Sequence, residues 1–182
     1  MGLRGRLMIT TPSLFFVTTT LIDWRPLFAD PVVRDRVEEI LFKFVPGYAD
    51  SVMGYVIMPS HIHLMVGCIS GGKQLSKYMQ AVKSTISRDL FPAIGSVWMR
   101  RFDDFQVTSE KQFRIKLDYI HYNPVKAGFV ATATEWKWSS AKYWLQGFPD
   151  SRLSKTWHWM EQVPLQVSCD RGVLNLSVTL DV

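Results

Sequence analysis

The stretch YVIMPSHIHLMV, residues 55–66, reads as two short strands around a tight break. Apolar and β-branched residues fill both arms and Pro59-Ser60 interrupts them, so the runs 52–58 and 61–67 pair as an antiparallel hairpin. Alternate side chains of a strand share a face. His61 and His63 therefore point one way, while Ile62 and Leu64 point into the core. Two imidazoles fixed on one face by the backbone can chelate a cation with little entropy to lose. The same spacing also suits two plain surface histidines on a half-buried strand.

Upstream, LFFVTTTLI (residues 14–22) is β-branched and aromatic and predicts a first strand. Asp30-Pro31 opens a helix, with Val33, Val37, Ile40, Leu41 and Phe44 on one face and Pro46-Gly47 as its end. Downstream, Gly71-Gly72 breaks the chain before a helix over 73–91, whose stripe is Leu75, Met79, Val82, Ile86 and Leu90. A short strand over 102–107 follows. Ser109 with Gln112 forms a capping box that opens a third helix, burying Phe113, Leu117 and Ile120. Asn123-Pro124 is expected to end it, since a residue before proline is pushed out of the α region. A short helix over 139–145 and two strands around Asp170-Arg171-Gly172 complete the reading. The order strand, helix, strand, strand, helix, strand matches a ferredoxin-like α+β arrangement. It implies an antiparallel sheet with helices on one face, the other face open to a ligand, and the third helix as an addition. Residues 1–150 read as one domain and 151–182 as a tail.

The chain has 182 residues, 47% of them hydrophobic and 13% aromatic, enough for a proper core. The net charge of +5 and a sequence pI near 9.3 favour a polyanionic partner. Cys68 and Cys169 lie far apart in no metal-type spacing and read as reduced thiols of a cytoplasmic protein. No apolar run approaches the roughly 18 residues of a membrane span. The start, Met1 to Arg6, shows no secretion signal.

The third helix ends KLDYIHYNP, residues 116–124. Tyr119 and Asn123 are four apart and share a flank with Gln112 and Lys116. On spacing alone Tyr119 is a packing aromatic and Asn123 a helix cap. The combination with the histidine pair allows more. Phosphodiester cleavage by tyrosine needs a hydroxyl that attacks phosphorus and a cation that offsets developing charge. A phenol has a reference pKa near 10, so a metal or Lys116 must assist its loss of a proton.

The chain resembles the single-tyrosine HUH transposases, in particular the REP-associated tyrosine transposases. Four blocks carry the resemblance in order: FFVTTTLIDWRPLF (15–28), YVIMPSHIHLMV (55–66), YIHYNPVKAGFV (119–130) and WKWSSAKYW (136–144). Relatives commonly have asparagine before the first histidine, where this chain has Ser60. The resemblance implies Tyr119 as nucleophile, His61 and His63 as metal ligands and Asn123 as the third ligand. It implies cutting and rejoining of single-stranded DNA through a 5′-phosphotyrosine, at hairpin-forming repeats, by a monomer or homodimer. Two imidazoles and an amide oxygen suit Mg2+ or Mn2+, with raw affinity favouring Mn2+. Arg4, Arg6, Lys73, Lys77, Lys83, Arg88, Arg100, Arg101, Lys116 and Lys126 are the candidate phosphate contacts, and Trp98, Phe102 and Phe105 candidate stacking rings. Two other readings stay open. One is a non-catalytic single-strand binder built on the same sheet; the other is a metal hydrolase that uses water and tolerates loss of Tyr119.

Overall fold

The computed structural model describes residues 6–155 and the strand backbones of 166–170 and 173–177. The elements run β1 (Ser13–Thr20), a 3₁₀ turn (Ile22–Trp24), α1 (Pro31–Lys43), a single helical turn α2 (Val45–Tyr48), β2 (Ser51–Ile57), β3 (His61–Cys68), α3 (Gly72–Leu90), β4 (Asp103–Val107) and α4 (Glu110–Lys126). A second 3₁₀ turn (Ala133–Glu135), α5 (Ala141–Gln146) and the antiparallel pair β5 (Gln166–Asp170) and β6 (Val173–Ser177) follow. The side chain of Cys169 lies outside the described residues, while Cys68 is a buried free thiol. Among the described residues no helix is long and apolar enough to cross a membrane.

Four strands form one antiparallel sheet in the order β2-β3-β1-β4, the ferredoxin-like order that the sequence predicts. The break at Pro59-Ser60 is a tight turn, with the Met58 amide donating to the His61 carbonyl at 2.9 Å. Pairing sorts the side chains by face. Thr18 lies opposite His63, Phe16 opposite Met65 and Phe105, and Gly54 opposite Met65, so these residues share one face. Tyr55 and Leu64 are on the other face, which α1 and α3 cover. There the Tyr55 ring packs on Phe42 and its hydroxyl donates to Glu38. Tyr78 of α3 donates to the Leu41 carbonyl of α1 at 3.0 Å. Asp30 caps α1 by accepting from the Val32 amide at 2.8 Å.

The second face is only partly open, where the expectation above left it free. Helix α4 lies across it over β2, its apolar stripe Phe113, Leu117 and Ile120 fully buried. Gly54 makes the contact possible: a Cβ there would meet Leu117 Cδ1 at 2.7 Å and Ile120 Cδ1 at 3.5 Å. An apolar stripe needs a partner surface, and the bare backbone at Gly54 gives the helix a seat close against the sheet.

Candidate active site

β3 is a central strand, so its histidines are held on both sides. His63 is only 3% exposed, which corrects the expectation of an outward histidine. Its Nδ1 meets Thr18 Oγ1 at 2.9 Å, and the ring stacks on Phe16 at 5.6 Å. Burial lowers its pKa to about 3, aided by neighbouring His61 and Lys116, so the ring is neutral. His61 is half-buried, its Nδ1 3.1 Å from Ser60 Oγ, and burial lowers its pKa as well. The two ring centres stand 4.8 Å apart.

Helix α4 brings the remaining groups. Ser109 Oγ accepts from the Gln112 amide at 3.3 Å, while the Gln112 side chain answers to Thr108 rather than Ser109. The helix does not stop at Asn123-Pro124 but runs through Pro124 to Lys126. Proline past the first turn removes one hydrogen bond and crowds the carbonyl four residues back, and here the helix continues for only two residues beyond it. The Asn123 carbonyl still accepts from the Ala127 amide at 3.0 Å. Asn123 is therefore helical, one turn beyond Tyr119, and its Nδ2 lies 3.2 Å from His63 Nε2. The Tyr119 ring sits 5.0 Å from the His63 ring and edge-on to Phe16 at 5.8 Å, yet Tyr119 stays 41% exposed. Lys126 Nζ stands 5.5 Å over the Tyr119 ring. Lys116 Nζ lies between Phe16 and Phe105, at 4.7 and 5.1 Å. Besides a metal, the sequence pointed to Lys116 as the group beside the phenol; Lys126 is the lysine over the ring itself.

The donor chemistry fits a divalent cation. An amide N–H facing Nε2 and a hydroxyl at Nδ1 agree with a proton on Nδ1, which leaves the His63 Nε2 lone pair toward Asn123. Hydroxyls at the distal nitrogens of both rings are the orienting contacts that ligating histidines need. The Asn123 amide also offsets part of the effect of burial on His61, and turned over it presents its oxygen toward His63 Nε2. Among the described residues no group of three or more His, Cys, Asp or Glu side chains gathers to hold a metal.

The candidate phosphate contacts divide. Arg4 lies outside the described residues. Arg6 is 2% exposed, its Nε 2.9 Å from Asp104, with the guanidinium over Phe102 at 3.8 Å; its charge is neutralised inside the protein. Lys83 donates to the Met99 carbonyl at 3.0 Å, and burial, then Arg6, lowers its pKa to about 8. Lys83, Arg88, Arg100 and Arg101 line a groove of about 800 Å³ between α3 and the segment 92–102, separate from His61, His63, Tyr119 and Asn123. Lys73 and Lys77 are exposed on α3. Of the candidate rings, Trp98 is core at 4% exposed and Phe102 lies under Arg6, whereas Phe105 is 40% exposed beside Lys116. One aromatic was missed: Trp24, 58% exposed, meets the His61 ring edge-on at 5.3 Å.

A strand-borne histidine pair, a helix-borne tyrosine one turn from an asparagine, and this sheet order define a class. Residues 17–123 match the family described as "Transposase IS200 like", and the chain belongs to it. It is a DNA transposase of the single-tyrosine HUH kind. Its kin lie in the REP-associated tyrosine transposase branch. A Haemophilus influenzae protein provisionally so named is 28% identical over 132 residues, covering 60% of this chain and 75% of that one. The REP-associated tyrosine transposase of Escherichia coli is 26% identical over 89 residues, covering 49% of this chain and 53% of that one. This chain thus spans three quarters of the first relative and about half of the second. A solved REP-associated tyrosine transposase bound to a REP hairpin superposes with a TM-score of 0.68 at 19% identity, covering 81% of this chain and 88% of that one.

Proposed function

We propose that this chain nicks and rejoins single-stranded DNA at hairpin-forming repeats, through a covalent bond between Tyr119 and a 5′ phosphate. The observation that carries the reading is the convergence of four groups where α4 meets β3. An exposed phenol stands 5.0 Å from His63, ring to ring, and His61 and Asn123 complete the cluster. His61, His63 and Asn123 would hold Mg2+ or Mn2+, and such an ion neutralises non-bridging phosphate oxygens and makes phosphorus more electrophilic. The Tyr119 oxygen bonds to phosphorus as the bond from phosphorus to the 3′ oxygen breaks. The phenol proton leaves to solvent on the exposed side, Lys126 offsets the charge on the ring, and the departing 3′ oxygen takes a proton from water. The phosphotyrosine retains the ester, so a free 3′ hydroxyl can reverse the step and join a new end.

The hairpin substrate is supported by the solved relative's REP hairpin and by the positive charge of the chain. A non-catalytic single-strand binder needs exposed rings on its central strands; here Phe16, on the central β1, is 8% exposed, and the exposed Phe105 lies on the edge strand β4. The test is a labelled hairpin with unpaired flanks, incubated with Mn2+ and run under denaturing conditions. Wild-type protein gives a covalent adduct. Tyr119→Phe loses adduct and cleavage together while keeping hairpin binding, and Tyr122→Phe keeps all three. Cleavage by Tyr119→Phe at the wild-type rate makes Tyr119 a packing residue and ends this reading.

A further inference from the structure

Trp24 is held beside the histidines in a backbone conformation that bulky residues avoid. Asp23 and Trp24 have φ of 55° and 54°, both in the left-handed region, and neither is glycine. The turn is pinned on several sides. The Leu21 amide donates to the Ser60 carbonyl at 2.9 Å, next to His61, and the Ile22 amide donates to the Val97 carbonyl at 2.9 Å. Trp24 and Arg25 close it by donating to Leu21 and Ile22 at 3.1 and 3.2 Å. The surrounding structure thus enforces the strain, a pattern typical of functional positions.

What the strain presents is an open indole. The other tryptophans whose burial is described, Trp98, Trp136, Trp138 and Trp144, are between 0% and 9% exposed. Trp24 alone among them stays 58% exposed, and among the described residues its one ring contact is with His61. The edge-on approach, at 69°, leaves an indole face clear of the histidine. Arg25 follows it on the surface. A flat, exposed π surface beside a phosphate-handling centre in a basic protein matches an unpaired nucleobase, since every base offers a π face.

We infer that Trp24 is the stacking platform for an unpaired base of the substrate strand, the base next to the phosphate that Tyr119 attacks. This rests on the function proposed above. The platform favours single strands, because a base paired in a stem has no free face. It is sequence-tolerant, so it positions the strand without reading it.

The experiment uses a DNA hairpin with unpaired flanks, with 2-aminopurine placed in turn at each flank position, and the same hairpin without flanks. Wild-type protein quenches one flank position. Trp24→Ala abolishes that quench and weakens binding of the flanked hairpin about 5- to 150-fold, the loss expected for one base–aromatic stack. Binding of the unflanked hairpin and of Mn2+ alone does not change. Trp24→Phe restores most of the affinity and Trp24→Leu does not, because a ring and not apolar bulk is required. Trp24→Gly accepts the left-handed backbone freely and reproduces Trp24→Ala in a chain that still folds. Persistent quenching in Trp24→Ala, equal losses on both hairpins, or rescue by leucine overturns the inference. If wild type forms the adduct and Trp24→Ala binds and cleaves like it, only the platform fails. If wild type neither binds flanked hairpins nor forms an adduct, the function proposed above fails first and the platform with it.

Discussion

Substituting Gly54 by alanine tests whether packing on the sheet sets the chemistry on the helix. The added Cβ would lie 2.7 Å from Leu117 Cδ1, where ordinary carbon contacts begin near 3.5 Å. Leu117 is fully buried, so relief requires either an off-rotamer side chain or a shift of α4 by about 1 Å. Overpacking of this kind costs about 1–3 kcal/mol, while alanine in place of glycine in a strand returns roughly 0.5–1 kcal/mol. Stability therefore falls by a small net amount, a few degrees in a melting curve. Catalysis falls further, because Tyr119 and Asn123 ride on the shifted helix while His61 and His63 stay on the sheet. A misplacement of about 1 Å costs on the order of 10²-fold in rate. The assay is single-turnover adduct formation on a flanked hairpin with Mn2+, beside calorimetric melting. Adding Leu117→Val removes the clashing carbon and should recover rate lost in Gly54→Ala, a coupling that independent sites would not show. A Gly54→Ala protein with wild-type rate and melting temperature refutes the argument that this glycine seats the helix.

Other outcomes follow from the site. EDTA should abolish cleavage, and Thr18→Val, which removes the hydroxyl at His63 Nδ1, should weaken Mn2+ binding about 10- to 100-fold by titration calorimetry. Full activity in EDTA excludes the metal. His121, fully buried with Nε2 2.9 Å from Ser140 Oγ, has its pKa lowered to about 3 by burial, against about 6.5 when unfolded. The unfolded chain thus binds more protons between those values, so stability falls as pH drops through that window. At pH 5 the loss is about 2 kcal/mol, and His121→Gln should lack it in denaturant melts; identical pH slopes would contradict the assignment. Binding to a flanked hairpin should exceed binding to a long duplex and weaken steeply with salt, as fluorescence anisotropy would read; equal affinities would argue against single-strand recognition.

Much of this was legible because periodicity survives folding. Strand alternation marked His61 and His63 as one face, helical spacing placed Tyr119 and Asn123 on one flank, and the element order fixed the sheet. Several of the failures were questions of partner. The stripe Phe113, Leu117 and Ile120 says that α4 packs but not on which face, and Gly54 becomes a seat only once β2 is paired. Pro124 argued locally for a helix end, yet the helix carries it, buried, on to Lys126. Arg6 looked like any basic residue until Asp104, ninety-eight positions away in the sequence, closed on it. Trp24 carried no signal, since neither its exposure nor its left-handed backbone leaves a mark in a hydropathy pattern.

The seam between α4 and β3 has a thermodynamic consequence. Histidines come from the sheet and asparagine from the helix, so a cation gripped by all three binds only the docked arrangement. Mass action would then make such an ion a fastener: at a hundred times its dissociation constant it would add about 2.7 kcal/mol to the docked state. The phenol travels on the same helix as the asparagine, one turn away. An ion held by all three side chains would therefore reinforce the seat that Phe113, Leu117 and Ile120 already give the helix, and with it the position of the phenol proposed to attack.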